Sequence, residues 1–379
     1  MIEIALIGST GSVGTQALEV VREHPEEFRI VALTAHKNLP LLLKQIREFH
    51  PKAVGISDDK TYNSAKAYID KDCRLFGGQS AHVEAMLASG ADTSLISVVG
   101  FPGFAPLKES ICHGLKTCVA NKESIVCGGA AIRALLEQHN ARLYPVDSEH
   151  SAIFQCLEGN RDKEIRRILL TCSGGPFRTW EKGEIAKATV EQAIKHPKWN
   201  MGTKISIDSA TLANKGLEVL EARWLFDVPV EQVEVIVHPE SIVHSMVEYQ
   251  DRSILAQMGV PDMKLPIQVA LGYPNRLHQG SEAVDFVTLG SLHFESPDTE
   301  RFPCLALAYE AGRQGGMSPI AFNAANEIAV QRYREHRIGF YDIPWLIEKA
   351  MSEFTGGKEP NLDEILQIDK QVRQFMEAI

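Results

Sequence analysis

Three groups of residues in this chain have types and spacings that could do chemistry. The first is Gly8-Ser9-Thr10-Gly11-Ser12-Val13-Gly14, which directly follows the apolar run Ile2-Glu3-Ile4-Ala5-Leu6-Ile7 and opens an amphipathic helical pattern. Glycines there let backbone approach a ligand closely, and the amides of a helix N-terminus can face a pyrophosphate. A plain strand-to-helix turn is the competing reading. The second strand-like run ends at Thr34-Ala35-His36-Lys37-Asn38. An NAD site usually places Asp or Glu about 20 residues past the glycines, to bind the ribose 2′-hydroxyl. This turn holds no acid, and the cation of Lys37 attracts a 2′-phosphate, so the pattern favours NADP(H) over NAD(H) unless Lys37 is merely solvated.

The second group concerns a hard cation. Asp147 and Glu149 are separated by one residue, so in extended chain both carboxylates project to the same side. A third acid, Glu218, shares a helix face with Asn214 and Lys215, four and three residues before it. Oxygen ligands with positions left for water suit Mg²⁺ or Mn²⁺ better than zinc, with Co²⁺ a further candidate. Against this, the first two acids could be solvated loop residues, and Lys215 with Glu218 a surface ion pair. Gly216 favours the functional reading, because glycine inside an exposed helix is costly and suggests that something approaches closely.

The third group suits a phosphate-sized anion: the Ser173 hydroxyl beside Gly174 and Gly175, Ser209 near a helix start, Asn214 and Lys215. Asn121-Lys122-Glu123 stands just after a strand, at a sheet edge where open α/β folds bind ligands. Those residues either touch nicotinamide and substrate or form an ordinary helix cap and first turn. His196-Pro197-Lys198-Trp199-Asn200-Met201-Gly202 is bounded by proline and glycine and carries a large aromatic, like a loop that closes over substrate; the alternative is a packed connection.

The elements that must position these groups are legible in outline. Strand-like runs at residues 4–7, 30–33, 53–56, 94–99, 117–120 and 142–146 alternate with helical patterns at 16–23 and 39–49, which predicts βαβ units and a parallel sheet. The expected fold class is α/β, with an N-terminal Rossmann-like dinucleotide domain over residues 1–146. An α+β catalytic domain is expected at 147–272, with strands at 168–171, 233–237 and 253–257 and a helix near 210–226. A Pro-, Gly- and Ser-rich linker follows at 273–303, and a helical bundle at 304–379. In the bundle, Ser318-Pro319 marks one helix start, Gly339 its stop and Asp342 another cap. The apolar residues Ile365, Leu366, Val372, Phe375, Met376 and Ile379 predict a last amphipathic helix.

Bulk composition limits the partners. The 379 residues suggest two or three domains at roughly 150 residues each. A formal net charge of -10 argues against a nucleic-acid or anionic-membrane surface. Seven scattered cysteines without Cys-x-x-Cys point to neither a disulfide framework nor a thiolate zinc site, which fits a reducing cytoplasm. The first strand begins at once and leaves no export-signal pattern, and no apolar run reaches the length of a bilayer span.

With these residues in view, the sequence resembles the 1-deoxy-D-xylulose 5-phosphate reductoisomerase family essentially end to end. The resemblance is carried by residues 8–14, Ala120-Asn121-Lys122-Glu123, Pro145-Val146-Asp147-Ser148-Glu149-His150-Ser151 and Ser173-Gly174-Gly175-Pro176-Phe177. It continues through residues 196–202 and Asp208-Ser209-Ala210-Thr211, running on to Asn214-Lys215-Gly216-Leu217-Glu218. It implies a metal held by Asp147, Glu149 and Glu218, and catalytic roles for Lys122, Glu149 and His196. Implied substrate contacts are Lys122, Ser148, Glu149, Ser173, His196, Ser209, Asn214, Lys215 and Glu218, with Trp199 and Met201 on a lid. For NADPH it implies Gly8, Thr10, Gly11, Ser12, Val13, His36, Lys37, Asn38, Asn121, Glu123 and Gly202. It further implies a homodimer, with the dimer contact in the catalytic domain, and a phosphorylated ketose substrate rearranged and then reduced.

One departure is His36, where members commonly have glycine; it either adds charge beside the 2′-phosphate or stacks on adenine. For His150 and His244 a hydrogen-bonded structural role is expected. Two competing functions are a semialdehyde or acyl-phosphate dehydrogenase using Cys127 or Cys172 as nucleophile, and a catalytically silent NADP-binding sensor, which needs no acid triad.

Overall fold

The computed structural model describes residues 1–159, 165–199, 201–278 and 280–379, so Asn200 of the lid segment lies outside the described residues. The chain forms two compact units.

The first unit comprises residues 1–124, 134–151 and 263–281. Its sheet contains β1 (Ile2–Ile7), β2 (Phe28–Ala35), β3 (Ala53–Ile56), β4 (Arg74–Gly77), β5 (Thr93–Ile96), β6 (Lys116–Val119) and β7 (Leu143–Pro145). All neighbours are parallel, in the order β4-β3-β2-β1-β5-β6-β7. The order reverses at β1, and a crevice at the carboxyl ends beside such a switch point is where open α/β sheets bind ligands. Strand alternation sorts the β1 side chains onto two buried faces. Ile4 and Leu6 join Leu18, Val21 and Leu33, while Ala5 and Ile7 join Ala32, Ala53 and Met86.

Helix Ser12–Glu23 buries Gly14, Ala17, Leu18, Val20 and Val21. Gly14 is required by close packing, since a Cβ there would lie 2.3 Å from the Gly8 carbonyl oxygen. Helix Leu39–Phe49 has the predicted bounds and is started by Asn38, whose Oδ1 accepts from Leu41 N at 3.3 Å, with proline in its first turn.

Helix Lys264–Gly272 departs from the expected partition. Ile267, Ala270 and Leu271 sit in the same apolar cluster as Ile4 and Leu18. Lys116 Nζ fixes the end of this helix by donating to the carbonyls of Leu271 and Tyr273, at 2.8 and 2.9 Å. A late segment therefore completes the first unit, and residues 147–272 are not one continuous body.

The second unit comprises residues 125–133, 152–262 and 282–379. Its sheet contains β8 (Ile165–Cys172), β9 (Val233–Val237), β10 (Val243–Tyr249) and β11 (Ile254–Met258), in the order β11-β10-β8-β9. β8 and β9 run parallel, and β10 is antiparallel to both β8 and β11. The sequence gives little sign of β10 because its buried positions include the polar residues His244, Ser245 and Glu248. The helix expected near 210–226 is two, Thr203–Ala210 and Ala213–Leu225, interrupted at Leu212 with φ 59.

The C-terminal helices Pro303–Gln314, Ser318–Arg334, Asp342–Glu353 and Leu362–Ala378 belong to this same unit. A Cβ on Gly216 would meet the Ala308 Cβ at 2.6 Å. The close approach that Gly216 permits is that of a neighbouring helix rather than a ligand, which corrects the sequence argument. Residues 273–303 are also more than a linker: they include helix Phe286–Leu289, and Glu295 bridges to Val237. Ser318 begins its helix rather than capping it, and that helix ends at Arg334, before Gly339. Asp342 is the first residue of the next helix, and its Oδ2 accepts the Gly339 amide at 2.7 Å.

Candidate active site

In the first unit the glycine-rich loop runs from the end of β1 into helix Ser12–Glu23. Gly8 has φ 93, and a Cβ there would lie 2.9 Å from Val98 N, so only glycine fits. Gly11 caps the helix without a side-chain hydrogen bond, and no acidic residue occupies the first turn. The amides of Ser12 and Val13 have no intrahelical acceptor, and the positive end of the helix dipole carries no compensating acid, which suits an anion. At the end of β2, His36, Lys37 and Asn38 are exposed. His36 Nδ1 lies 3.0 Å from Ser57 Oγ, so its ring is held across the neighbouring turn.

Asn121, Lys122 and Glu123 follow β6 and are buried. Asn121 starts helix Lys122–Gln138, its Oδ1 accepting from Ser124 N at 3.2 Å. Its Nδ2 donates to the carbonyls of Val98 and Gly100 at 2.9 and 2.8 Å and also reaches Glu123 Oε2 at 3.2 Å. Asn121 therefore braces residues 98–100 as well as opening the helix.

β7 lies beside β6 and delivers the first acid pair at the same sheet edge. The Lys122 ammonium stands 2.6 Å from Asp147 Oδ2, and the buried His150 Nδ1 lies 3.4 Å from Oδ1. Burial pushes the Asp147 carboxyl upward, but Lys122 and His150 outweigh it and hold the group well below the usual carboxylate range. Glu149 N donates to Asp147 Oδ1 at 3.2 Å, and the Ser148 hydroxyl donates to Glu149 Oε2. These acids belong to an organised, partly buried cluster, unlike solvated loop residues.

In the second unit, Asn214, Lys215 and Glu218 share a face of helix Ala213–Leu225 as their spacing predicts. Asn214 Nδ2 donates to Glu218 Oε1 and Lys215 Nζ to Glu218 Oε2. Lys215 Nζ also donates to the Thr171 carbonyl at 2.6 Å. Lys215 and Glu218 are 3% and 1% exposed, so the surface-pair alternative does not hold.

Ser173 follows β8, and its Oγ lies 2.8 Å from His196 Nε2 and accepts from Gly175 N at 3.2 Å. His196 Nδ1 accepts the amides of Lys198 and Trp199 at 3.2 and 3.0 Å. Because those amides can only donate, the ring proton sits on Nε2 and is offered to Ser173. Burial pushes His196 down to about 4, consistent with a neutral ring. In this arrangement His196 holds Ser173 and the start of the lid segment, with neither nitrogen placed to abstract a proton.

Trp199 is half-buried, with its ring 6.1 Å from that of His244; Met201 is half-buried and Gly202 exposed. Burial also pushes His244 down to about 4. Ser209 lies near the end of helix Thr203–Ala210, four residues before helix Ala213–Leu225 starts. The preceding residue, Asp208, is buried, with Lys204 Nζ at 2.8 Å and Asn326 Nδ2 at 2.9 Å. Nothing local in the sequence marks Asn326, since its helix Ser318–Arg334 carries other polar residues, among them Asn323, Glu327 and Gln331. Cys127 and Cys172 are buried, at 4% and 8% exposure.

A parallel sheet with a glycine-rich loop at its switch point, together with organised acids and a serine, lysine and amide cluster, defines the class: a dinucleotide-dependent α/β enzyme acting on a small polar substrate. Three family models match consecutive parts of the chain. They are described as 1-deoxy-D-xylulose 5-phosphate reductoisomerase over residues 4–129, its C-terminal domain over 143–226, and DXP reductoisomerase C-terminal domain over 258–375. Proteins of that name from Chloroherpeton thalassium and Clostridium perfringens strain 13 are 47% and 46% identical. The first match covers 99% of this chain and 97% of the relative, the second 99% of both.

Among solved structures, a DOX-P reductoisomerase in complex with NADPH, fosmidomycin and magnesium matches with TM-score 0.94 at 37% identity, covering 100% of this chain and 98% of that one. The Zymomonas mobilis 1-deoxy-D-xylulose 5-phosphate reductoisomerase with NADPH matches with TM-score 0.91 at 40% identity, covering 100% of both. The chain belongs to the 1-deoxy-D-xylulose 5-phosphate reductoisomerase family.

Proposed function

We propose that Asp147, Glu149 and Glu218 together hold the divalent cation with which this enzyme converts 1-deoxy-D-xylulose 5-phosphate, by rearrangement and NADPH-dependent reduction, to 2-C-methyl-D-erythritol 4-phosphate in the non-mevalonate isoprenoid route. The observation that carries the residue assignment is the adjacency of β6 and β7. Lys122 after one and Asp147 after the other meet at 2.6 Å on the sheet edge that bears the glycine-rich loop, so the dinucleotide loop and the first two acids stand on one sheet, while Glu218, buried on helix Ala213–Leu225, is the third acid of the proposed set. The donors fit the group: carboxylate oxygens, one of them held ionised, match Mg²⁺ or Mn²⁺, and Co²⁺ is also compatible. A cation bound there supplies Lewis-acid polarisation of substrate oxygens.

The chain's own residues do the rest. Gly8, Thr10, Gly11, Ser12 and Val13 receive the pyrophosphate, and His36, Lys37 and Asn38 the adenosine 2′-phosphate. Asn121, Glu123 and Gly202 shape the nicotinamide end. Ser173, Ser209, Asn214 and Lys215 grip the substrate phosphate. With Ser173 accepting from His196 and Gly175, its hydroxyl proton can be donated to a phosphate oxygen. That remote grip fixes the carbon skeleton for rearrangement. Lys122 and Ser148 orient the substrate's reacting oxygens beside Glu149, and Trp199 with Met201 covers the site against water.

NADPH consumption on adding the substrate with Mg²⁺ or Mn²⁺ tests the assignment as a whole; no consumption overturns it. Lys37→Ala is expected to raise KM for NADPH about tenfold while leaving KM for NADH unchanged, as loss of one charged contact to a phosphate would do. Equal changes for both cofactors would remove Lys37 from the 2′-phosphate site.

The protein is also proposed to be a homodimer. β11 is an edge strand of the second sheet, and its Ile254 and Leu255 are 48% and 41% exposed, an apolar edge that a second copy would cover. Light scattering should return twice 41.9 kDa; a monomer at micromolar concentration overturns this. A cytoplasmic location is proposed from the cysteine usage; no described helix is long and apolar enough to cross a membrane.

A further inference from the structure

The glycine-rich loop rests on three buried polar side chains, none of which is among the cofactor contacts above. Ser9 donates its amide to the Thr34 carbonyl at 2.8 Å and its hydroxyl to Gln45 Oε1 at 2.7 Å. Gln45 Nε2 returns a bond to the Ser9 carbonyl at 2.9 Å, closing a reciprocal ring between loop and helix Leu39–Phe49. One residue earlier, the Gly8 amide donates to Thr34 Oγ1 at 3.0 Å, and the same hydroxyl lies 2.8 Å from Nδ1 of His82 on helix Ala81–Ala88. Thr34, Gln45 and His82 are 0%, 3% and 5% exposed.

The Gly8 amide can only donate, so Thr34 Oγ1 accepts it, and in the His82 tautomer that leaves Nδ1 bare the hydroxyl donates its own proton there. That requires a neutral imidazole, and burial pushes His82 down to about 4. A buried Gln or His is costlier than an apolar residue of similar size unless hydrogen-bonded. Helix Leu39–Phe49 already has an apolar anchor in the fully buried Leu42, so packing alone does not call for Gln45.

We propose that Gln45, Thr34 and His82 are positioning residues for the dinucleotide, locking Gly8 and Ser9 so that the amides following them are presented to the pyrophosphate before it binds. Gln45 also ties this lock to the 2′-phosphate turn, because its helix starts on Asn38. Preorganisation of this kind is felt as cofactor affinity, since a loosened loop must be reordered on binding. The inference rests on residues 8–14 being the pyrophosphate loop.

The test compares Gln45→Met, Ser9→Ala, their double variant and Gly11→Val in the full-length enzyme with metal and substrate. Gln45→Met is expected to raise both Kd and KM for NADPH about tenfold, the equivalent of one to two net hydrogen bonds. Its kcat and its KM for the ketose phosphate should stay within about twofold, and the double variant should be no worse than the poorer single one, because both changes break one ring. If Gly11→Val weakens NADPH and Gln45→Met does not, the inference falls. If Gly11→Val itself leaves NADPH affinity unchanged, the loop reading falls first. A parallel fall in kcat and rise in both KM values, with a lower unfolding midpoint, would make Gln45 merely structural and also overturn the proposal. Should Gln45→Met not fold, Thr34→Val removes the shared hydroxyl at nearly constant shape and is read in the same way.

Discussion

Glu149→Gln is expected to lower kcat/KM by about a thousandfold or more with Mg²⁺ or Mn²⁺, while leaving NADPH affinity intact. The substitution removes a full charge but keeps the shape of a group that the structure holds in place through the Ser148 hydroxyl and that is linked by its own amide to Asp147. Where developing negative charge is stabilised by a cation in a water-poor site, losing one anionic ligand costs about 4 kcal/mol or more of transition-state stabilisation, equivalent to that rate factor. The specific readout is separation of functions. NADPH titration should match wild type, whereas calorimetric Mn²⁺ binding should weaken strongly. A variant with wild-type turnover would remove Glu149 from the metal set, and one that lost NADPH binding as well would indicate a disturbed sheet edge.

The second large effect is on stability. Lys215→Met should destabilise the second unit of the metal-free protein by about 3 to 5 kcal/mol, because it leaves the Glu218 carboxylate buried without its ammonium partner. The pair is enclosed between its own helix and the end of β8, where Lys215 also donates to the Thr171 carbonyl. Adding Glu218→Gln should recover part of the loss, since a neutral amide in that place costs less than an uncompensated charge. Trp180, Trp199, Trp224 and Trp345 all lie in the second unit, so urea unfolding followed by tryptophan fluorescence reports this unit. A wild-type midpoint in Lys215→Met would mean that the two groups do not depend on each other. With Lys215 gripping the substrate phosphate as proposed, the same variant should also lose activity, but the unfolding experiment needs no substrate and separates the two roles.

Much of the first unit was legible because its strands obey local rules. A run such as β1, buried on both faces and ending in glycine before a helix, has the same signature wherever it occurs, and β3 and helix Leu39–Phe49 fall within their predicted bounds. β4, with the pattern Arg74-Leu75-Phe76-Gly77, is short and only half-buried, and carries too little periodicity to be seen. β10 escaped for the opposite reason: its polar residues are buried, so hydropathy does not mark it. The i, i+3 and i, i+4 spacing of Asn214, Lys215 and Glu218 correctly placed them on one helix face, because that spacing is a property of the helix alone.

Gly216 shows the limit of that reasoning. Its presence signalled close approach, but the partner is Ala308, more than 90 positions later, and nothing local distinguishes a helix from a ligand. Helix Lys264–Gly272 likewise carries an ordinary apolar stripe that does not say which core receives it. His36 is similar, since its contact with Ser57 depends on the neighbouring strand's turn.

By itself, then, the sequence determined the parallel α/β class, the glycine-rich loop, the cationic turn at Lys37 and the residue types of the acid cluster and of the serine, lysine and amide cluster. Each follows from short-range spacing, where backbone geometry maps sequence directly onto position. Only the tertiary structure decided that Lys122 holds Asp147 ionised, that Lys215 and Glu218 are buried, that His196 is locked by two amides, and that Gln45 and His82 stand beneath the loop. Those facts depend on desolvation and on contacts between distant segments, and both exist only once the chain has packed.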